Sequence, residues 1–142
     1  MYKYKFLDHT ADVGFEIESS SLNELFKASA ILTFDVMADL KKVSPKITKK
    51  IKLKNSKIDN LLFNFIEELI FLKDSEYMLF SKFDIKITHS IDNGFFLIAE
   101  IKGEKINPKK HELKTDVKAI TLHKFYVKKI KKKFKTSIIL DI

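Results

Sequence analysis

Four side chains that can carry chemistry stand close together near the start of the chain. Asp8, His9, Thr10 and Asp12 place two carboxylates, an imidazole and a hydroxyl within five residues. Carboxylates ligate hard cations and an imidazole can transfer protons, so this segment could hold a divalent ion or serve acid–base chemistry. The same residue types are also ordinary turn residues. The spacing alone leaves a functional loop and a plain turn both open.

A second group of oxygen donors lies at the other end of the sequence. Asp141 is followed by Ile142, and the apolar residues of 138–142 predict an anchored terminal strand, although chain ends usually fray. Anchoring would bring the Asp141 side chain and the Ile142 terminal carboxylate close together, and Asp12 could join them. Such a set of oxygen donors suits Ca²⁺ or Mg²⁺. The alternative is an Asp at an exposed end that binds nothing.

The elements that must position these donors follow from hydrophobic periodicity. Alternating apolar residues predict strands on both sides of the first polar segment, over 2–6 and 13–18. Capping-box spacings, from Ser21 to Glu24 and from Ser56 to Asp59, precede two stretches of helical periodicity. They predict helices over about 21–40 and 57–74.

Further strands are predicted from the same alternation, and turn residues separate them. Asn93-Gly94 predicts a type I′ hairpin, and 104–115 reads as a polar loop. The predicted fold is α+β, a two-layer sandwich with two helices on one face of a mostly antiparallel β-sheet. The remaining strands are expected at 47–54, from 82, and at 95–102, 116–122, 124–130 and 134–140.

Composition narrows the class of protein. A chain of 142 residues with 45% hydrophobic residues suits a single globular domain over 1–142. The absence of cysteine excludes disulfides, thiolate metal sites and thiol nucleophiles. Without a signal peptide or membrane-span pattern, a cytoplasmic protein is expected. The net charge is +8 and every basic residue is Lys, which favours attraction to polyanions over sequence-specific readout.

Two alternative functions remain open on the residues alone. The first is a metal-dependent phosphoester hydrolase, for which His9 is the nominee as general base. The second is an RNA-binding module using the basic run at Lys131, Lys132 and Lys133, which could equally be a solvated surface. Phosphate-binding and dinucleotide-binding glycine patterns are absent from the sequence.

The sequence resembles the archease family along its whole length. The most specific matches are the polar block 8–14 and the block 117–123, which ends at His123. Supporting matches lie at 24–39, 61–69 and the closing 140–142. Phe65 and Leu122 depart from the usual pattern, where the family has Trp and Tyr, but the polar motif is intact.

The resemblance implies an accessory protein that is not itself an enzyme. Archeases promote guanylylation and repeated turnover of the tRNA-splicing RNA ligase, can broaden its nucleotide use, and are also described as chaperone-like. The expected partner is therefore that ligase, with tRNA or other RNA touched at most indirectly, and neither a membrane nor a small-molecule substrate is expected. A bound divalent cation (Ca²⁺, or Mg²⁺ or Mn²⁺) is implied on Asp12, Asp141 and Ile142. By position, Asp8, His9 and His123 are implied as surrounding or partner-facing residues.

Overall fold

The computed structural model describes residues 1–7 and 12–142 of the chain. Within those residues the chain forms two α-helices and seven strands. The helices are α1 (Leu22–Met37) and α2 (Ile58–Glu76), and a short 3₁₀ turn (Leu40–Lys42) follows α1. The strands are β1 (Tyr2–Leu7), β2 (Asp12–Ser19), β3 (Ile47–Asn55), β4 (Met78–Ser90), β5 (Gly94–Lys105), β6 (Ala119–Ile130) and β7 (Lys133–Asp141).

The strands form two antiparallel sheets. The first has the order β1-β2-β7-β6 and the second the order β3-β5-β4. Each helix contacts strands of both sheets, so the two helices form a layer against which both sheets pack. The predicted α+β class with two helices is confirmed, and the division of the strands between two sheets is the part that the sequence did not reveal.

The two helices begin and end for different reasons. Ser21 caps α1, since its hydroxyl accepts the Glu24 backbone N–H at 3.2 Å as predicted. This helix ends earlier than expected, because Ala38 turns to extended backbone and pairs with Leu113. The capping box predicted at Ser56 is wrong: Lys57 is the N-cap of α2, and its side chain makes no capping bond.

Aromatic side chains bind the layers together. Phe34 of α1 contacts Phe80 and Phe83 of β4, with ring centroids 5.6 and 5.8 Å apart. Phe26 stacks on Phe65 at 6.0 Å and joins the two helices. All of these rings are buried. The core therefore lies along the helical layer, where both sheets meet it.

Two local predictions are corrected. The β4–β5 hairpin has a three-residue loop over 91–93, since Ser90 pairs with Gly94. Among residues 90–94 only Gly94, directly after the loop, has a positive φ (82°). That pattern belongs to loops in which a left-handed residue follows the turn, whereas a type I′ turn would need a positive φ at Asn93 as well. The strands predicted at 116–122 and 124–130 form the single strand β6, with a register shift between Thr121 and Tyr126.

No helix in the described part of the chain is long and apolar enough to cross a membrane.

A close backbone approach at Gly103 generates a stability prediction. A Cβ at this residue would lie 1.8 Å from the Leu79 carbonyl oxygen, beside the register shift in β4. The Gly103→Ala variant should therefore lose about 2–3 kcal/mol of unfolding free energy, because backbone has to move. Urea denaturation measures this loss, with the exposed Lys86→Ala as the control. Equal midpoints for the two variants would show that the approach is not constrained.

Candidate functional site

Asp12 and Asp141 face each other across the centre of the first sheet. They are direct register partners at one end of the β2–β7 pair. Directly opposed residues of antiparallel strands have Cβ atoms about 5 Å apart and share a face of the sheet. Phe15 and Ile138, which lie three positions further along each strand, belong to the core, so the two Asp side chains lie on the opposite, outward face. Of the predicted donors, the structure thus brings these two together.

Hydrogen bonds hold the strand that carries Asp141 in place from both sides. Asp141 pairs with Asp12 on one side and with Ala119 of β6 on the other. Its carbonyl oxygen accepts the Lys118 N–H at 2.8 Å. The Ile142 side chain packs against the core. The predicted anchored C-terminal strand is confirmed, so Asp141 has a fixed backbone position.

The segment that reaches Asp141 from the end of β5 is held by a buried ammonium. The Lys73 side chain is 4% exposed, and its Nζ donates to the Val117 carbonyl at 2.9 Å and to Asp116 Oδ1 at 2.7 Å. Val117 is fully buried next to Lys118, which bonds Asp141. Lys73 is not among the residues predicted from the sequence, although it lies three residues beyond Ile70 on the apolar stripe of α2.

The other end of this segment is held by a buried carboxylate. The His111 Nδ1 accepts the Asn107 backbone N–H at 2.9 Å, so its Nε2–H donates to Glu104 Oε2 at 2.8 Å. The Glu104 carboxylate also accepts Lys110 Nζ and the Ser44 N–H. Hydrogen bonds from His111 and Lys110 lower the pKa of Glu104 from 4.5 to about 2, and outweigh its desolvation.

The paired carboxylates are set apart from the lysines of the chain. No Lys of the described residues lies within 4.0 Å of Asp12 or Asp141, although the chain has 27 basic residues. Like charges directly opposite on a sheet repel, and a bound cation would remove that repulsion. Within 1–7 and 12–142, no cluster of three His, Asp or Glu side chains could hold a metal. A cation here therefore needs donors besides these two side chains.

The other predicted site residues lie elsewhere. His123 is exposed in the irregular stretch of β6, four positions beyond the residue that faces Asp141. The run Lys131 to Lys133 turns from β6 into β7, so eight residues, or about 27 Å, of strand separate it from Asp141. Asp8 and His9 fall outside the described residues.

Comparison with known proteins decides the family. The model of the Archease protein family (MTH1598/TM1083) matches residues 4–142. The chain belongs to the archease family. It is 38% identical over 142 residues, the full length of both chains, to the protein named archease of Sulfurisphaera tokodaii.

Solved structures agree with that assignment. The solution structure of Methanobacterium thermoautotrophicum protein 1598 is similar with a TM-score of 0.86 and 34% identity, covering 98% of each chain. The crystal structure of a Thermotoga maritima archease, titled a possible chaperone, has a TM-score of 0.64 and 19% identity, covering 97% of this chain and 96% of that one. At 19% identity, the second likeness shows only that the two chains share a fold.

The Glu104 network generates a pH prediction. Because the folded-state pKa lies below the unfolded value, the stability it contributes is present above pH 4.5 and is lost as pH falls towards 2. Glu104→Gln should unfold more easily at neutral pH and lose less stability between pH 4.5 and 2 than the parent chain.

Thermal unfolding against pH measures this difference. The control is Glu100→Gln on the same strand, which removes one partly exposed carboxylate 3.7 Å from Lys50. If both variants followed the same pH profile, the buried network would not be the source of the acid sensitivity.

Proposed function

We propose that this archease is a cytoplasmic accessory activator of a tRNA-splicing RNA ligase, promoting its guanylylation and repeated turnover and broadening the nucleoside triphosphates it accepts. In this proposal it acts on the ligase and has no substrate of its own. Family membership supports the general role. The observation that carries the proposed mechanism is the register pairing of Asp12 with Asp141.

The proposed cation site uses the donors that the sheet brings together. Asp12 and Asp141 offer side-chain oxygens from neighbouring strands, and hard divalent cations such as Ca²⁺, Mg²⁺ or Mn²⁺ prefer such donors. The third donor in the proposal is the terminal carboxylate of Ile142, which requires the chain to end at that residue. When bound, the cation would supply positive charge beside the phosphate oxygens of a nucleoside triphosphate.

The protein's own contribution is to hold these donors in a fixed place at one end of a sheet. Asp141 lies on a strand paired on both sides, and the Lys118 N–H fixes its carbonyl. A preorganised set of donors on strands keeps its geometry better than one on a loop. The end of the sheet could then be offered to the ligase as a unit, with Asp8, His9 and His123 as candidates for contact around it.

A charge-neutralising variant tests the cation site and its role together. Asp141→Asn should weaken binding of Mn²⁺ or Ca²⁺ by at least about ten-fold, because the site loses one charged donor of a hard cation. It should also abolish stimulation of ligase guanylylation in single-turnover assays. Asp12→Asn should behave in the same way. Without cation, both variants should be as stable as the parent chain or gain up to about 0.5 kcal/mol, since a like-charge pair is relieved.

The matched control is Asp84→Asn, an exposed Asp on the second sheet. It should bind cation and stimulate the ligase as the parent chain does. Full stimulation by Asp141→Asn, measured at saturating ligase, would refute the mechanism. Stimulation lost with cation affinity unchanged would show that the Asp pair contacts the ligase directly.

A tag at either end tests the terminal carboxylate. A C-terminal extension converts the Ile142 carboxylate to an amide, which removes a negative charge and leaves a weaker oxygen donor. Folding should be retained because β7 still completes the sheet, whereas cation affinity and ligase stimulation should fall. Calorimetric titration of both tagged proteins measures the difference.

The N-terminal tag is a suitable control because of the register of the first sheet. Tyr2 pairs with Ser19, the end of β2 that lies seven residues, or about 24 Å, from Asp12. The N-terminal tag should therefore leave the cation affinity unchanged. Equal affinities for the two tagged forms would remove Ile142 from the ligand set.

A further inference from the structure

The second sheet has one face that no described part of the chain covers. Ile51, Leu97 and Ile85 of its inner face belong to the core beneath the helices. Within 48–54, 82–88 and 96–102 the alternate residues point away, and none of them is buried. Six of these outward positions are lysines: Lys50, Lys52, Lys54, Lys82, Lys86 and Lys102.

The positive charge on this face is concentrated at one end. The two acidic residues, Glu100 and Asp84, are register partners, and Glu100 lies 3.7 Å from Lys50 Nζ. Lys52, Lys54 and Lys86 form no ion pair within the described residues. The end of the face nearest the β4–β5 hairpin therefore carries three uncompensated positive charges.

Apolar side chains lie between those three lysines. Phe96 and Ile98 occupy the central strand, and Ile98 is 51% exposed. Lys54 Nζ lies 5.3 Å from the centroid of the Phe96 ring. A shallow depression of about 410 Å³ is lined by both apolar residues together with Lys52, Lys54 and Thr88.

We propose that this face binds single-stranded RNA. Lys52 and Lys54 are two positions apart on β3, which spaces their ammonium groups by about 7 Å along the strand. That interval suits the consecutive phosphates of an extended strand. The Phe96 ring offers a flat surface on which a base stacks, which is how sheet faces bind single strands. Thr88, directly opposite Phe96, supplies a hydroxyl for a ribose 2′-OH.

Protection of sheet edges accounts for only part of this pattern. Lysines on edge strands prevent edge-to-edge association, and β3 and β4 are the edges of the second sheet. That role does not explain a half-buried Phe96 and an exposed Ile98 on the central strand, where apolar side chains cost solubility. A base-stacking surface rimmed by cations accounts for both features.

The proposed RNA face is independent of the carboxylate pair. Asp12 and Asp141 belong to the first sheet, and the helical layer contacts both sheets. RNA binding here would therefore leave the proposed cation site free. It would add a nucleic-acid contact to the protein whether or not the ligase proposal holds.

Fluorescence anisotropy with a labelled twelve-nucleotide single-stranded RNA tests the proposal. The triple variant Lys52→Ala, Lys54→Ala and Lys86→Ala should lose at least about ten-fold in affinity at low salt, and the slope of log affinity against log salt should become shallower by about 2. The matched control replaces Lys3, Lys41 and Lys109, three exposed lysines outside the second sheet, by Ala. It removes the same net charge and should stay within about two-fold of the parent chain.

Phe96→Leu separates stacking from charge. It retains an apolar side chain on the strand but removes the ring, so affinity should fall by about ten-fold with the salt slope unchanged. Unfolding curves of every variant should match the parent chain, because all the replaced side chains lie outside the buried core.

Three results would overturn the proposal. One is unchanged RNA affinity in the Lys52, Lys54 and Lys86 variant, and another is an equal loss in the control. The third is binding through these residues to vesicles containing phosphatidylserine or to a poly-glutamate peptide, with none to RNA. That result would assign the face to a lipid surface or to an acidic protein. Equal binding of single-stranded DNA would show that Thr88 does not read the ribose.

Discussion

The antiparallel pairing of β2 with β7 is the interaction on which the rest of this structure depends. It joins the beginning and the end of the chain, from Asp12 opposite Asp141 to Ser19 opposite Phe134. Both strands lie inside the first sheet, with β1 outside one and β6 outside the other. Closing so long a stretch of chain costs conformational entropy, which the buried Phe15 and Ile138 on the inner face help to offset.

The same pairing creates the candidate site as a by-product of the fold. An Asp at the first position of β2 and an Asp at the last position of β7 must become neighbours once the register is set. The supports are distributed through the rest of the molecule. Lys73 fixes the segment before β6, and Glu104 fixes the beginning of that segment through His111. A local polar pair is thus positioned by residues from α2 and β5 as well as by its own strands.

The local sequence was sufficient to predict most helices and strands, because each depends on residues that are close together in the chain. Apolar alternation marked β2 and β3, and the three-four spacing of Leu62, Phe65 and Leu69 marked α2. Pairing of strands is set by contacts far apart in the chain, so periodicity could not divide them between two sheets. The failed cap at Ser56 has a local cause instead, because Asn55 Oδ1 and not the Ser56 hydroxyl accepts a nearby backbone N–H, that of Lys57 at 3.0 Å.

The candidate site, too, could be predicted only in part. Asp12 and Asp141 could be named because anchored strands on both sides were legible in the sequence, and the resemblance joined them. The supporting roles of Lys73 and His111 could not be predicted from the sequence. Lys73 bonds a carbonyl more than forty residues away, and the bond from His111 depends on which nitrogen of its buried ring carries the proton. The same limit applied to the basic surfaces. The run at 131–133 is contiguous in the sequence and could be recognised there, whereas the lysines of the second sheet alternate with other residues and come together only when the strands pair.

The most direct test of the proposed cation site is manganese-induced broadening of the backbone amide NMR signals of the protein in solution. If Asp12 and Asp141 hold the cation, substoichiometric Mn²⁺ should erase the signals of Val13, Leu140 and Lys118. The signals of Ser19 and Phe134, about 24 Å away along the same strands, should persist. Broadening centred on any other part of the molecule, or spread evenly over its surface carboxylates, would contradict the account.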